Sequence, residues 1–241
     1  MSSETLRIAT RYCGPPRSGN GGYVCGRLAD YIDGPAAVRL KAPPPLDTDL
    51  RIEQSDGVVR LYAGDTPIAE ARSSALDLQP PASPSFAQAQ ASSKAYPGFA
   101  RHSFPRCFAC GPQRTSGDGL CIFPGPPAED GGVAAPWIPH AAFADGDGRV
   151  RNRYLWAALD CTGGWAVIPG QPGRTIVLGE FCVRIDGAVA PDERCVAIGW
   201  PIAIDGRKRF AGSAVFGASG ARVAVARATW IEVEAKPFAD A

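Results

Sequence analysis

Histidine, lysine and methionine are scarce in this chain of 241 residues, with two, four and one copies. The two histidines, His102 and His140, cannot form the His-x-x-x-His spacing of a helical metal pair. The formal net charge is +1 and the pI about 7.5. That balance excludes a broad nucleic-acid footprint or a polybasic membrane surface. No apolar run approaches the roughly 18 residues of a membrane-spanning helix. The opening Met1-Ser2-Ser3-Glu4-Thr5 has neither a basic segment nor an apolar core. A signal peptide is therefore not expected, and a cytoplasmic location is.

What is present is ordinary globular material, 45% hydrophobic and 20% charged, enough for one large domain or two small ones. The 28 glycines and 23 prolines predict many turns. Eight cysteines could suggest disulfides, but several lie in apolar stretches such as Phe181-Cys182-Val183. A free thiol there behaves as a small hydrophobe, and the chain reads as reduced.

Residues 78–105 are rich in proline, serine, alanine and glutamine and carry no apolar periodicity, which reads as a linker between residues 1–77 and 106–241. The two halves share one order. In the first, Val24, Leu28, Tyr31 and Ile32 predict a helix over 21–32, followed by strands at 38–41, 50–53, 58–62 and 68–72. In the second, a helix over 151–167 precedes strands at 176–185, 194–204, 208–216 and 222–234. Asp56-Gly57 and Asp205-Gly206 supply hairpin turns. A helix followed by antiparallel strands, stated twice, is an internal repeat of α+β type.

Four segments resemble hotdog-fold thioesterases. The run from Gly19-Asn20-Gly21-Gly22-Tyr23 to Asp30 is similar to the glycine-opened helix of that superfamily, and Val38 to Leu46 to the corner that follows it. Cys107-Phe108-Ala109-Cys110-Gly111-Pro112, with Gly119-Leu120 downstream, resembles the CFxCG…GL opening of single hotdog domains. Tyr154-Leu155-Trp156-Ala157-Ala158-Leu159-Asp160 resembles the catalytic helix of the acyl-CoA thioesterase II family. The resemblance implies a double hotdog, two antiparallel sheets each wrapped around one long helix. It further implies an acyl-CoA or acyl-carrier-protein thioester bound between the halves, no cofactor, and association of hotdog sheets into a homo-oligomer.

By that resemblance Asp160 is the general base on water. On a helical wheel it falls among Trp156, Gly163 and Val167 in a helix apolar nearly all round. Such a helix is buried, and a carboxylate in it is costly unless paired, Arg153 being the nearest partner, or functional. Asp30 is the competing carboxylate, on a more polar face with Arg27 at i−3. His140, on a loop before the second helix, is a further candidate base. Asn20 is placed to cap the first helix, with Gly21, Gly22 and Tyr23 offering backbone N–H groups of which those of Gly22 or Tyr23 would meet an oxyanion. Trp156 and Glu180 complete the expected substrate contacts. The resemblance has a gap: the family's supporting serine or threonine is missing from Leu178 to Cys182, and its glutamine from Ala224 to Trp230. Glu180 and Thr229 are the polar residues left in those places.

Cys107 and Cys110 form a CxxC pair, but no second CxxC exists and structural zinc needs four ligands. No metal is expected, and the segment reads as the first strand of the second half. Three functions remain open: a thioesterase, a non-catalytic acyl-thioester-binding or scaffold protein, and a hydratase or dehydratase. The last would need an aspartate–histidine pair near the helix start.

Overall fold

The structure is a computed structural model and describes residues 4–127 and 131–235. Its elements run β1 (Thr5–Arg7), α1 (Gly21–Ala29), β2 (Ala36–Leu40), β3 (Asp49–Ser55), β4 (Val58–Ala63), β5 (Thr66–Ser73) and α2 (Phe86–Lys94). They continue with β6 (Val133–Trp137), α3 (Asn152–Ala166), β7 (Arg174–Ile185), β8 (Cys195–Asp205), β9 (Lys208–Phe216) and β10 (Arg222–Glu234). The architecture is α+β and antiparallel.

The expected pair of sheets is one sheet. Its order is β1-β3-β4-β5-β2-β7-β10-β9-β8-β6, every pairing antiparallel. The halves fuse because β2 of the first pairs with β7 of the second, Ala36 opposite Val183 and Arg39 opposite Glu180. That pairing satisfies two edges that would otherwise stay open. The helices are also unequal: α1 has 9 residues and α3 has 15. Gly34, at φ +79°, and Pro35 end the reach of α1 soon after Asp30.

Alternation along the strands sorts side chains to two faces. On β8, Cys195 and Ala197 belong to the main core under α1 and α3, whereas Val196 and Ile198 face the opposite side. That second face is covered by α2, which brings Phe86 and Ala89 against it. The 78–105 stretch therefore contains a packed helix. Its start is a capping box, in which the Ser85 hydroxyl accepts from the Gln88 N–H and the Gln88 side chain accepts from the Ser85 N–H. Among the described residues no helix is long and apolar enough to cross a membrane.

The two core helices cross with almost no space between them. A Cβ added to Gly22 would stand 2.4 Å from Asp160 Cβ and 2.5 Å from the Trp156 carbonyl oxygen. One added to Gly26 would stand 2.7 Å from Arg153 Cα. Four residues apart, these glycines present one bare stripe on which α3 lies. Gly22→Ala should consequently cost about 1–3 kcal/mol, the usual range for overpacking a close contact. Urea unfolding followed by circular dichroism measures it; an unchanged midpoint would mean the helices stand further apart. A second outcome concerns residues 77–85, outside any helix or strand and mostly exposed ahead of α2. Limited elastase digestion should cut there before it cuts within β7–β10.

Candidate functional site

The α1–α3 crossing joins the start of one helix to the middle of another. Asn20 caps α1, its Oδ1 accepting the Tyr23 N–H at 2.9 Å. The Gly22 N–H donates to Oδ2 of Asp160 at 2.7 Å. Two of the orphan donors of this first turn are thereby used, and among the described residues no acceptor takes the Gly21 N–H. The donor left for a ligand is that of Gly21, in place of the expected Gly22 or Tyr23.

Asp160 is 2% exposed, and its Oδ1 has no hydrogen-bond partner among the described residues. Burial raises its pKa to about 7 from the ordinary 3.8; the Gly22 N–H and, to a smaller extent, the Asn20 side-chain amide oppose the rise, and nearby Cys107 adds to it. A cavity of about 350 Å³ opens beside the pair, within the roughly 300–1,000 Å³ range of small-molecule sites. Asn20, Gly21 and Asp160 contribute polar atoms to its wall, and Leu40, Phe104, Leu178 and Trp230 line it with apolar surface.

Three thiols share that wall. Sγ atoms of Cys107, Cys110 and Cys161 all lie within 4.8 Å of one another, all three residues buried. Cys107 and Cys161 are 3.5 Å apart. Asn20 Nδ2 points at both, at 3.7 and 3.6 Å, and His102 Nε2 stands 3.3 Å from Cys110 Sγ. Hydrogen bonds from the other two thiols hold the Cys107 pKa well below the ordinary thiol value, while burial pushes that of Cys110 up. Burial also lowers the pKa of His102.

Other expected residues stand elsewhere. Asp30 caps the C-terminal end of α1 and pairs with Arg153 at 2.7 Å and Arg27 at 4.0 Å, outside the cavity. Arg153 is thus the partner of Asp30, not of Asp160. His140 is exposed and accepts the Ala142 N–H at the start of a short 3-10 turn. Tyr23 stacks on Tyr12 with ring centroids 4.0 Å apart, and Trp156 packs edge-on to Phe181; both are core. Glu180 pairs with Arg39 across the β2–β7 seam at 2.9 Å. The helical faces of α1 and α3 and strand alternation on β7 carry Tyr23, Trp156 and Glu180 away from the cavity. Cys107 to Pro112 forms buried turns instead of a strand, with the Gly111 N–H donating to the Cys107 carbonyl at 2.9 Å.

The cavity also holds residues beyond the expected site set: Thr175 on β7, buried, and Cys161, His102 and Trp165. Thr175 is a hydroxyl on β7, three residues before Leu178. Cys161 could have been found as the neighbour of Asp160 in the resembling helix. His102 and Trp165 carry no local signal.

No protein-family model and no curated protein sequence matches the chain. Solved structures do. A putative thioesterase II from Thermobifida fusca is 13% identical, with a TM-score of 0.58 over 96% of each chain. A putative thioesterase from Novosphingobium aromaticivorans is 14% identical, TM-score 0.58, over 94% of each chain. The tesB protein of Mycobacterium avium subs paratuberculosis is 13% identical, TM-score 0.55, over 89% of this chain and 87% of that one. At such identities the likeness is one of fold, and along nearly its whole length this chain has the fold of thioesterase II-type structures.

Proposed function

We propose that the protein is a double hotdog enzyme that hydrolyses an acyl thioester, of coenzyme A or of an acyl-carrier protein, in the cavity beside α1 and α3. The observation that carries this reading is the buried Asp160, held by the Gly22 N–H through one oxygen and unpartnered at the other, next to the open Gly21 N–H. The residues 1–77 and 106–241 act as the two repeats, each giving one helix to the site.

The chemistry needs three things, and each has a candidate. The apolar wall takes the acyl chain. The Gly21 N–H, at the positive end of the α1 dipole, faces the thioester oxygen as it becomes an oxyanion. Asp160 Oδ1 accepts a proton from water as the water oxygen bonds to the carbonyl carbon. Collapse of the tetrahedral intermediate breaks the C–S bond, and the proton leaves with the thiolate as a thiol. Acid and thiol are the products.

Thiol release from a panel of short, medium, long and aromatic acyl-CoAs tests the reading. Asp160→Asn should lower turnover by about 10²–10⁴-fold, the usual general-base contribution, with an unchanged circular dichroism spectrum, because an amide oxygen can still accept the Gly22 N–H. Asp30→Asn should leave the rate within about twofold, since Asp30 lies with Arg153 and Arg27 outside the cavity. Full rate in Asp160→Asn would remove the base. Binding of acyl-CoA without thiol release would make the protein a binding module instead, a reading that the lack of a hydroxyl at residues 178–182 of β7 and of a glutamine on β10 would then explain.

A further inference from the structure

We propose that Cys107, Cys110 and Cys161 form a metal site for a thiophilic divalent ion of the zinc class. The inference is independent of the thioester reading. It revises the expectation of no metal, which rested on counting ligands near one CxxC; the third sulfur comes from α3, 51 positions further along the chain than Cys110.

The geometry is that of a set of ligands. Three sulfurs on a tetrahedron around zinc, at Zn–S about 2.3 Å, stand about 3.8 Å apart. Here Cys107 and Cys161 are 3.5 Å apart and all three sulfurs lie within 4.8 Å. Cys107 and Cys110 have the two-residue spacing of zinc-binding turns, closed by the Gly111 N–H on the Cys107 carbonyl. Gly111 has no room for a side chain: a Cβ there would stand 2.6 Å from the backbone N and O of Cys107.

Each sulfur also has an N–H group directed at it. Asn20 Nδ2 serves Cys107 and Cys161, and His102 Nε2 serves Cys110. Nδ1 of His102 accepts the Phe104 N–H at 2.8 Å. An imidazole accepting at Nδ1 carries its proton on Nε2, so His102 is a donor to sulfur and not a ligand. Such second-layer donors are what buried metal thiolates need, because three thiolates and a divalent ion leave a net negative charge. Neutral buried thiols gain far less from them. The fourth position belongs to a group from the cavity, whose wall includes all three cysteines. A bound ion would tie the turns of residues 105–111 to α3 beside Asp160.

Protein made in zinc-supplemented medium and purified without chelator should carry about one zinc per chain by plasma mass spectrometry. Cys107→Ser and Cys161→Ser should each lose it, and Cys121→Ser, outside the cluster, should keep it. In case the serine variants misfold, a second measurement uses the wild-type chain alone: adding Co²⁺ to reduced, metal-free protein should produce sulfur-to-cobalt charge-transfer bands and tetrahedral d–d bands. Zinc-free protein with no cobalt–thiolate spectrum would overturn the assignment. So would equal zinc loss in Cys121→Ser. A count of two fewer free thiols than the eight in the sequence, traced to a Cys107–Cys161 bond, would also overturn it and make the cluster a disulfide site.

Discussion

Everything about the site depends on the contact of α1 with α3 at Gly22 and Gly26. Bare glycine backbone there lets the helices approach until main chain touches main chain, closer than any pair with side chains between them could manage. Only at that spacing can the N–H of Gly22 reach the carboxylate of Asp160, and the hydrogen bond then fixes the register of the crossing. A carboxylate buried in an apolar helix is costly to hold ionised, and one N–H offsets only part of the cost. Asp30 shows the contrast. Burial raises its pKa too, but Arg153 and Arg27 oppose that rise with full charges. One aspartate is paired as a structural residue is; the other keeps an oxygen without a partner.

The sheet places this crossing. Because β2 and β7 pair, the two halves share one continuous sheet, and the start of α1 meets the middle of α3 at Gly22 and Asp160. The cavity forms just there, between Leu40 at the end of β2, residues 175–179 of β7, and Trp230 on β10. β10 pairs with β7 through a register shift at Thr229–Trp230. Such bulges bend a strand and re-aim its side chains, and Trp230 is turned into the cavity wall at that position.

Much of this was legible along the chain because it rests on short-range periodicity. Helical spacing of apolar residues marks α1 and α3, and alternation between Asp-Gly turns marks the hairpins. What was not legible rests on other physics. The helix α2 is mostly alanine, serine and glutamine, so no apolar stripe announces it; the usable signal was the Ser85–Gln88 capping box. Pro136 hides β6, yet β6 is an edge strand, where a missing N–H is tolerated. Fusion of two sheets into one cannot be read from either half. In the site, Asn20, Gly21 and Asp160 were selectable because they sit at a helix start or interrupt an apolar helix. Cys161 joins Cys107 from 54 positions away, and no local pattern encodes that meeting.

The electrostatics of α1 explain why these groups gather in one place. The N-terminus of a helix is a site of positive potential with unpaired donors. Asp160 takes the Gly22 donor, and the Asn20 cap turns its amide toward two of the three sulfurs while its oxygen holds the Tyr23 N–H. One capping residue therefore links the helix start to the thiol cluster, and the neighbouring glycine links it to the carboxylate. The Gly21 N–H stands between those two anchored positions. A ligand oxygen bonded there would complete the same pattern: negative charge, or charge in the making, placed where the helix has donors to meet it.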